Sequence, residues 1–220
     1  QSTVRYRRLP GFPSSTLHQL SAVAEPSEIA AARYLRIGAD PARTHVTGSI
    51  KFDVRLPVSL KEQAAVIRRD WGANRSVWIA ASTHEGEDEV VLAAHRRLLA
   101  SYPDALLILV PRHPERFDSV HQLCENEGFA TVRRSSAQPV TAQTSVLLGD
   151  TMGELLFLYA LADSAFVGGS LVPNGGHNLL EPAALAKPVL SGPHLGNFLE
   201  IAAQLRAAGA LAEVEDAESL

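Results

Sequence analysis

Short apolar runs alternate along this chain with longer stretches whose apolar residues recur every three or four positions. That pattern predicts parallel strands joined by helices. The clearest unit is a strand at 76–81, a helix from Glu87 to Ser101 and a strand at 105–110. A helix is predicted over 114–127, strands over 130–133 and 145–148, and a short helix over 153–161. The run Ser164 to Val167 is the next strand, followed by a helix over 178–185, a strand at 188–190, a helix over 197–208 and a last strand at 210–211. Roughly seven strands with intervening helices make the fold class α/β, a doubly wound parallel sheet.

The first 48 residues have a different role. Strands at 21–24 and 45–47 flank a helix over Ser27 to Ile37 that Gly38 closes, as in the last βαβ unit of a preceding domain. Residues 49–58 then form an interdomain connection, and residues 59–220 a main domain that begins with a helix over 59–71.

Composition narrows the function. With 220 residues, 46% of them apolar and 20% charged, the chain buries a substantial core, and disorder is not expected. A net charge of -4 argues against a dedicated nucleic-acid binder, so recognition of an anion has to be local. Cys124 is the only cysteine, which rules out an intrachain disulfide and reads as a small buried hydrophobe. No apolar run approaches the roughly 18 residues of a membrane span, and no secretory signal is present. The chain starts at Gln1 and its only methionine is Met152, so it is expected to be a piece of a longer protein.

Ligands of open parallel sheets bind beyond the carboxyl ends of the strands, near a topological switch point. Polar clusters follow the strands here at 82–87, 112–116, 149–154, 168–181 and 191–194. The glycine-rich stretch Gly168–Glu181 reads as a loop whose backbone approaches a phosphate and then opens a helix. Arg112 follows a strand and offers a planar fork of donors to a phosphate or carboxylate, or else is an exposed loop arginine. Arg116 reads better as a solvated helix residue. Asn178 and Glu181 share one side of a helix start, where two readings stay open: a capping box, or a carboxylate that accepts from ligand hydroxyls.

His84, His113, His177 and His194 fall in post-strand loops, as donors to a ligand or to backbone carbonyls. Metal binding is not expected, because no pair has helical i, i+4 spacing and no cysteine joins them. The Gly-x-Ser-x-Gly elbow of hydrolases, the phosphate loop of NTPases and the dinucleotide fingerprint are all missing.

Five motifs, at 47–53, 82–87, 111–117, 150–155 and 175–182, occur in an order that resembles the 3-deoxy-D-manno-octulosonic acid (Kdo) transferases of lipopolysaccharide synthesis. The resemblance covers nearly the whole chain. It implies a GT-B fold of two Rossmann-like domains, of which this chain is the C-terminal, donor-binding half with the end of the N-terminal domain attached. It implies Kdo transfer from CMP-Kdo to the lipid A precursor, with inversion and with no cofactor or obligatory metal. The catalytic base and the membrane association, on the cytoplasmic face of the bacterial inner membrane, are implied for the N-terminal part. The chain alone is then expected to bind donor and transfer nothing.

Carried over by position, the resemblance implies Lys51 and Arg112 near the phosphate or the Kdo carboxylate, and Glu181 near the ribose hydroxyls. Asn178 supports the phosphate, Gly169, Ser170 and Gly176 shape its loop, and the turn of Met152, Gly153 and Glu154 contacts the base. Lys51 read without the family is a solvated hinge lysine, and Ser49 departs from the asparagine usual before the Lys-Phe-Asp run. Two rival readings remain: a GT-B nucleotide-sugar epimerase with a uridine diphosphate donor, and a non-catalytic nucleotide-binding module.

Overall fold

The computed structural model describes residues 12–48, 54 and 56–220, and divides the chain into two units, 1–54 and 55–220. The expected connection, 49–58, straddles that division, and 49–53 and 55 lie outside the described residues. In the first unit, α1 (Phe12–Leu17) precedes β1 (Val23–Glu25), α2 (Glu28–Arg36) and β2 (Thr44–Val46), and β1 pairs with β2 in parallel. The Ser27 hydroxyl accepts from the Ala30 amide at 3.3 Å to start α2, and Gly38 at φ 102° ends it. Helix α1 was not expected from the sequence.

The second unit begins with α3 (Leu60–Trp71), which ends at Gly72 with φ 111°. Next come β3 (Val77–Thr83), α4 (Asp88–Ser101), β4 (Leu106–Pro111) and α5 (Phe117–Asn126), then β5 (Thr131–Arg133) and β6 (Val146–Leu148). The unit closes with α6 (Leu155–Leu161), β7 (Ser164–Val167), α7 (Leu180–Ala184), β8 (Val189–Ser191), α8 (Leu199–Ala207) and β9 (Leu211–Glu213). Seven strands pair in parallel in the order β5-β6-β4-β3-β7-β8-β9. The chain leaves β3 through β4 to one side, where β5 lies outside β6, and returns beside β3 with β7, β8 and β9 on the other, so the switch point lies between β3 and β7.

Both faces of the sheet are covered, which is why its strands read as unbroken apolar runs rather than alternations. Val77, Ile79 and Ala81 of β3 pack with Leu60 and Ala64 of α3 and Leu158 and Leu161 of α6. Trp78 and Ala80 face the other way, against Val91 and Leu92 of α4 and Val120 and Cys124 of α5. Burial pushes the Cys124 thiol up to about 12, so it is an inert apolar side chain.

Helix boundaries shift from the sequence reading by a residue or more at several ends, and three of these shifts have a visible cause. The 114–127 element opens as a 3-10 turn, Pro114–Arg116, before α5. Gly153 at φ 80° delays α6 to Leu155. The Asn178 side chain holds a turn to the Leu180 amide, so α7 starts two residues late and has five residues.

The amino-terminal edge of the sheet is sealed by Arg75, which is 4% exposed. Its guanidinium donates to the carbonyls of Asp104 at 2.6 Å, Thr141 at 2.9 Å and Thr144, fixing the entries to β4 and β6. A lysine has no planar fork to span these acceptors. Arg75→Lys is therefore expected to destabilise the protein by about 2–3 kcal/mol, read from urea unfolding.

Candidate functional site

Four loops line the carboxyl edge of the sheet, after β6, β4, β3 and β7 in spatial order. The β3 loop is locally strained. Ser82 has φ 58° where the register shifts between Ala81 and Thr83. Beyond it, the Thr83 carbonyl accepts from the Arg112 amide and from Arg116 Nη1, both at 2.9 Å, tying the β3 and β4 loops together. Arg116 Nη2 also pairs with Asp88 Oδ2, and the Thr83 hydroxyl donates to Asp88 Oδ1 at 2.6 Å. Burial pushes the Asp88 carboxyl up, and the hydrogen bonds from Thr83 and Arg116 pull against it. Arg116 is thus a structural clamp, not the solvated residue its position suggested.

Glu87 governs the β7 loop. It is 0% exposed, and its Oε2 accepts from the amides of Gly169 at 2.7 Å and His84 at 2.9 Å. Its Oε1 accepts from the amides of Ser170 at 3.0 Å and Leu171 at 2.9 Å. The converging amides that the sequence reading offered to a phosphate are turned onto a carboxylate of the chain itself. Ser170 is also 0% exposed, with its hydroxyl donating to the Val167 carbonyl at 2.6 Å and accepting from the Gly192 amide at 2.9 Å. In this arrangement Gly169 and Ser170 shape the loop from within, and their amides do not face a ligand.

Glycine is required where the two loops meet. A Cβ on Gly168 would lie 2.7 Å from the Ser82 carbonyl oxygen and 2.9 Å from Glu87 Oε2. Gly169, at φ 66°, packs against the His177 ring, and the Gly176 amide donates to the Gly169 carbonyl at 2.7 Å. These contacts deliver His177 to the edge of His84. The rings are coplanar within 4°, and their Nε2 atoms are 2.8 Å apart. His113 lies edge-on to His84, with ring centroids 5.3 Å apart.

Burial, then the neighbouring His84 and Arg112, push His177 down to about 4. His84 is lowered as well, chiefly by burial. Arg112 is exposed at the end of β4 and forms no ion pair among the described residues.

On the β6 side, Asp150 accepts from Arg133 Nε at 2.6 Å, the Ser135 amide at 2.8 Å and the Ser135 hydroxyl at 2.5 Å. Burial pushes this carboxyl up, but the bonds from Ser135 and Arg133 win and hold it below the usual carboxylate range. Glu154 takes both Arg134 Nη2 at 2.9 Å and Nε at 3.2 Å, and the Thr151 hydroxyl at 2.5 Å. Arg134 and then Thr151 hold it low. The turn between them presents Met152, which is 67% exposed, and Gly153.

At the other end of the site, Asn178 Nδ2 donates to Glu181 Oε1 at 3.1 Å, and Asn178 Oδ1 accepts from the Leu180 amide at 3.1 Å. No capping box forms, because Asn178 turns onto the Leu180 amide and Glu181 turns to the Asn178 side chain. Glu181 Oε2 takes no hydrogen bond from a described residue.

Arg112, Met152, Gly153, Glu154, Gly169, Ser170, Gly176 and Asn178 therefore all belong to loops of one sheet edge, and Glu181 to the first turn of α7 that follows one of them. Lys51 lies outside the described residues. Sequence reasoning missed Glu87, Asp88, Asp150, Arg133 and Arg134 as the pairs that hold the edge. Their only signal was position, acids just after strands or at a helix start and arginines at the end of β5. Among the described residues no group of three or more His, Cys, Asp or Glu is placed to hold a metal ion.

A seven-stranded parallel sheet with its polar loops at the switch-point edge defines one Rossmann-like half of a GT-B glycosyltransferase fold. Residues 1–54 match the family described as 3-deoxy-D-manno-octulosonic-acid transferase (kdotransferase). The chain is 45% identical over 201 residues to the 3-deoxy-D-manno-octulosonic acid transferase of Haemophilus influenzae, covering 91% of this chain and 47% of that protein. It is similar to the crystal structure of the C-terminal CMP-Kdo binding domain of WaaA from Acinetobacter baumannii. That match has a TM-score of 0.70 and 43% identity, over 74% of this chain and 85% of that one. The UDP-GlcNAc 2-epimerase of Methanocaldococcus jannaschii shares the fold, with a TM-score of 0.51 and 17% identity over 92% of this chain and 52% of that one. The chain belongs to the 3-deoxy-D-manno-octulosonic acid transferase family. It spans about half the length of the curated relatives it matches.

The Glu87 network has a measurable consequence. Glu87→Gln keeps one acceptor oxygen but turns an NH2 group toward two backbone N–H donors. It is expected to cost about 2–4 kcal/mol in urea unfolding, with Glu87→Ala costing at least as much.

Proposed function

We propose that this chain is the donor-binding part of an inverting Kdo transferase, which moves Kdo from CMP-Kdo to the lipid A precursor in lipopolysaccharide synthesis. The observation that carries the reading is the 43% identity to a CMP-Kdo binding domain of which this chain covers 85%. The inner-membrane location belongs to the same proposal, and no helix among the described residues is long and apolar enough to cross a membrane.

Each loop of the edge has a role in this reading. Arg112, unpaired and exposed, meets the donor's phosphate or carboxylate with its fork of N–H groups. Glu181, steadied through Oε1 by Asn178, accepts from the ribose hydroxyls through Oε2. The Met152–Gly153–Glu154 turn, stiffened by Arg134, packs on the base. In the transfer itself the bond from the anomeric carbon to the CMP oxygen breaks, and CMP leaves with the electron pair. An acceptor hydroxyl forms the new bond and gives its proton to a base that we assign to no residue of this chain. Arg112 stabilises the charge that grows on the leaving phosphate.

Calorimetry tests the reading. The folded protein is expected to bind CMP, and UDP more weakly, since an epimerase would reverse that order. Loss of the Arg112 contact in Arg112→Ala is expected to weaken CMP binding about 10–100-fold, with Arg112→Lys in between. A folded sample that ignores CMP would sink the donor-binding claim.

A further inference from the structure

The two facing nitrogens of His84 and His177 are 2.8 Å apart in rings that share a plane. Two N–H groups cannot point at each other at that distance, so the interface holds one proton, donated by one ring and accepted by the other. In the neutral pair the donating ring then carries its lone pair on Nδ1. Neither Nδ1 has a hydrogen-bond partner among the described residues.

We propose that His84 and His177 form a proton-linked anion subsite beside Arg112: the empty pair is neutral, and it takes up one further proton when an anionic group of the donor docks against it. This rests on the donor-binding reading above and deepens it. Burial sets most of the balance, and the groups that face the pair adjust it. His113 and Arg112 from the end of β4, and Arg116 from the turn after it, disfavour a second proton on His84, while Glu87 favours it. His177 meets Arg112 and His113 against Glu87 in the same way. The buried carboxylate does not tip this balance alone, because burial and the facing cations outweigh it. A second negative charge, brought by the ligand, does tip it.

The sign follows from linkage. The ligand raises the pair's affinity for a proton, so the proton raises affinity for the ligand, and binding weakens as pH rises. Within the window between the free and bound pKa values, affinity falls up to about tenfold per pH unit.

The probe is the methyl ester of CMP, a phosphodiester with one fixed charge, because CMP's own phosphate titrates near pH 6. Calorimetry near pH 6 in two buffers of different ionisation enthalpy is expected to show net uptake approaching one proton per ligand. His84→Gln and His177→Gln are each expected to abolish the uptake, with imidazole nitrogen NMR of the unmutated protein following the same event at both rings. Binding of the ester without proton uptake between about pH 5.5 and 8 would overturn the inference and leave the donor-binding reading standing. Uptake that persists in both variants would overturn it too. Binding of neither CMP nor its ester at any pH would instead bring down the donor-binding reading, and this subsite with it.

Discussion

Four backbone N–H groups converge on one buried carboxylate at the switch point of the sheet. Burying an ion costs several kcal/mol unless charge-assisted hydrogen bonds replace its water, and Glu87 receives four of them from two separate loops. The arrangement leaves no room for a side chain at Gly168, whose Cβ would press on the Glu87 carboxylate and the Ser82 carbonyl. Because the same carboxylate holds the His84 amide and the Gly169 amide, it sets the spacing of everything those residues carry. The His84 ring hangs from one loop, and the His177 ring rests on the other.

The charges along the edge are sorted by the same logic. Glu87 is satisfied by amides, Asp88 by Thr83 and Arg116, Asp150 by Ser135 and Arg133, and Glu154 by Arg134 and Thr151. These four acids are each matched inside the protein. Arg112 is not matched, so its field reaches the ligand undivided. A chain whose net charge is -4 can thus present an anion-attracting edge without a basic surface.

The sheet was legible because strands buried on both faces leave unbroken apolar runs, as at Leu106–Val110, and because polar clusters follow them. The interior of the site was less so. The glycine stretch reads as a cradle for an anion, and its amides do converge on one, but that anion is Glu87, 82 residues away from Gly169 in sequence. Nothing local separates Glu87 from Asp88 or Glu89, since which acid turns inward depends on where the β7 loop lies in three dimensions. The Asn178 and Glu181 spacing was equally ambiguous, and the outcome fits neither option fully. Asn178 caps its own turn while Glu181 keeps one oxygen open.

A filled amide cradle changes how such a site has to recognise charge. Backbone amides bind an anion at any pH, because they do not titrate near neutrality. With those amides committed to Glu87, a ligand's charge has to be met by side chains, and the side chains gathered here are an arginine and three imidazoles. An arginine keeps its charge at all relevant pH values, whereas a buried imidazole gives up its charge to burial and recovers it only when an anion returns the favour. The pair of His84 and His177 is therefore neutral when empty, which limits its repulsion with Arg112 and Arg116, and its positive charge develops only in the presence of the group it is shaped to hold.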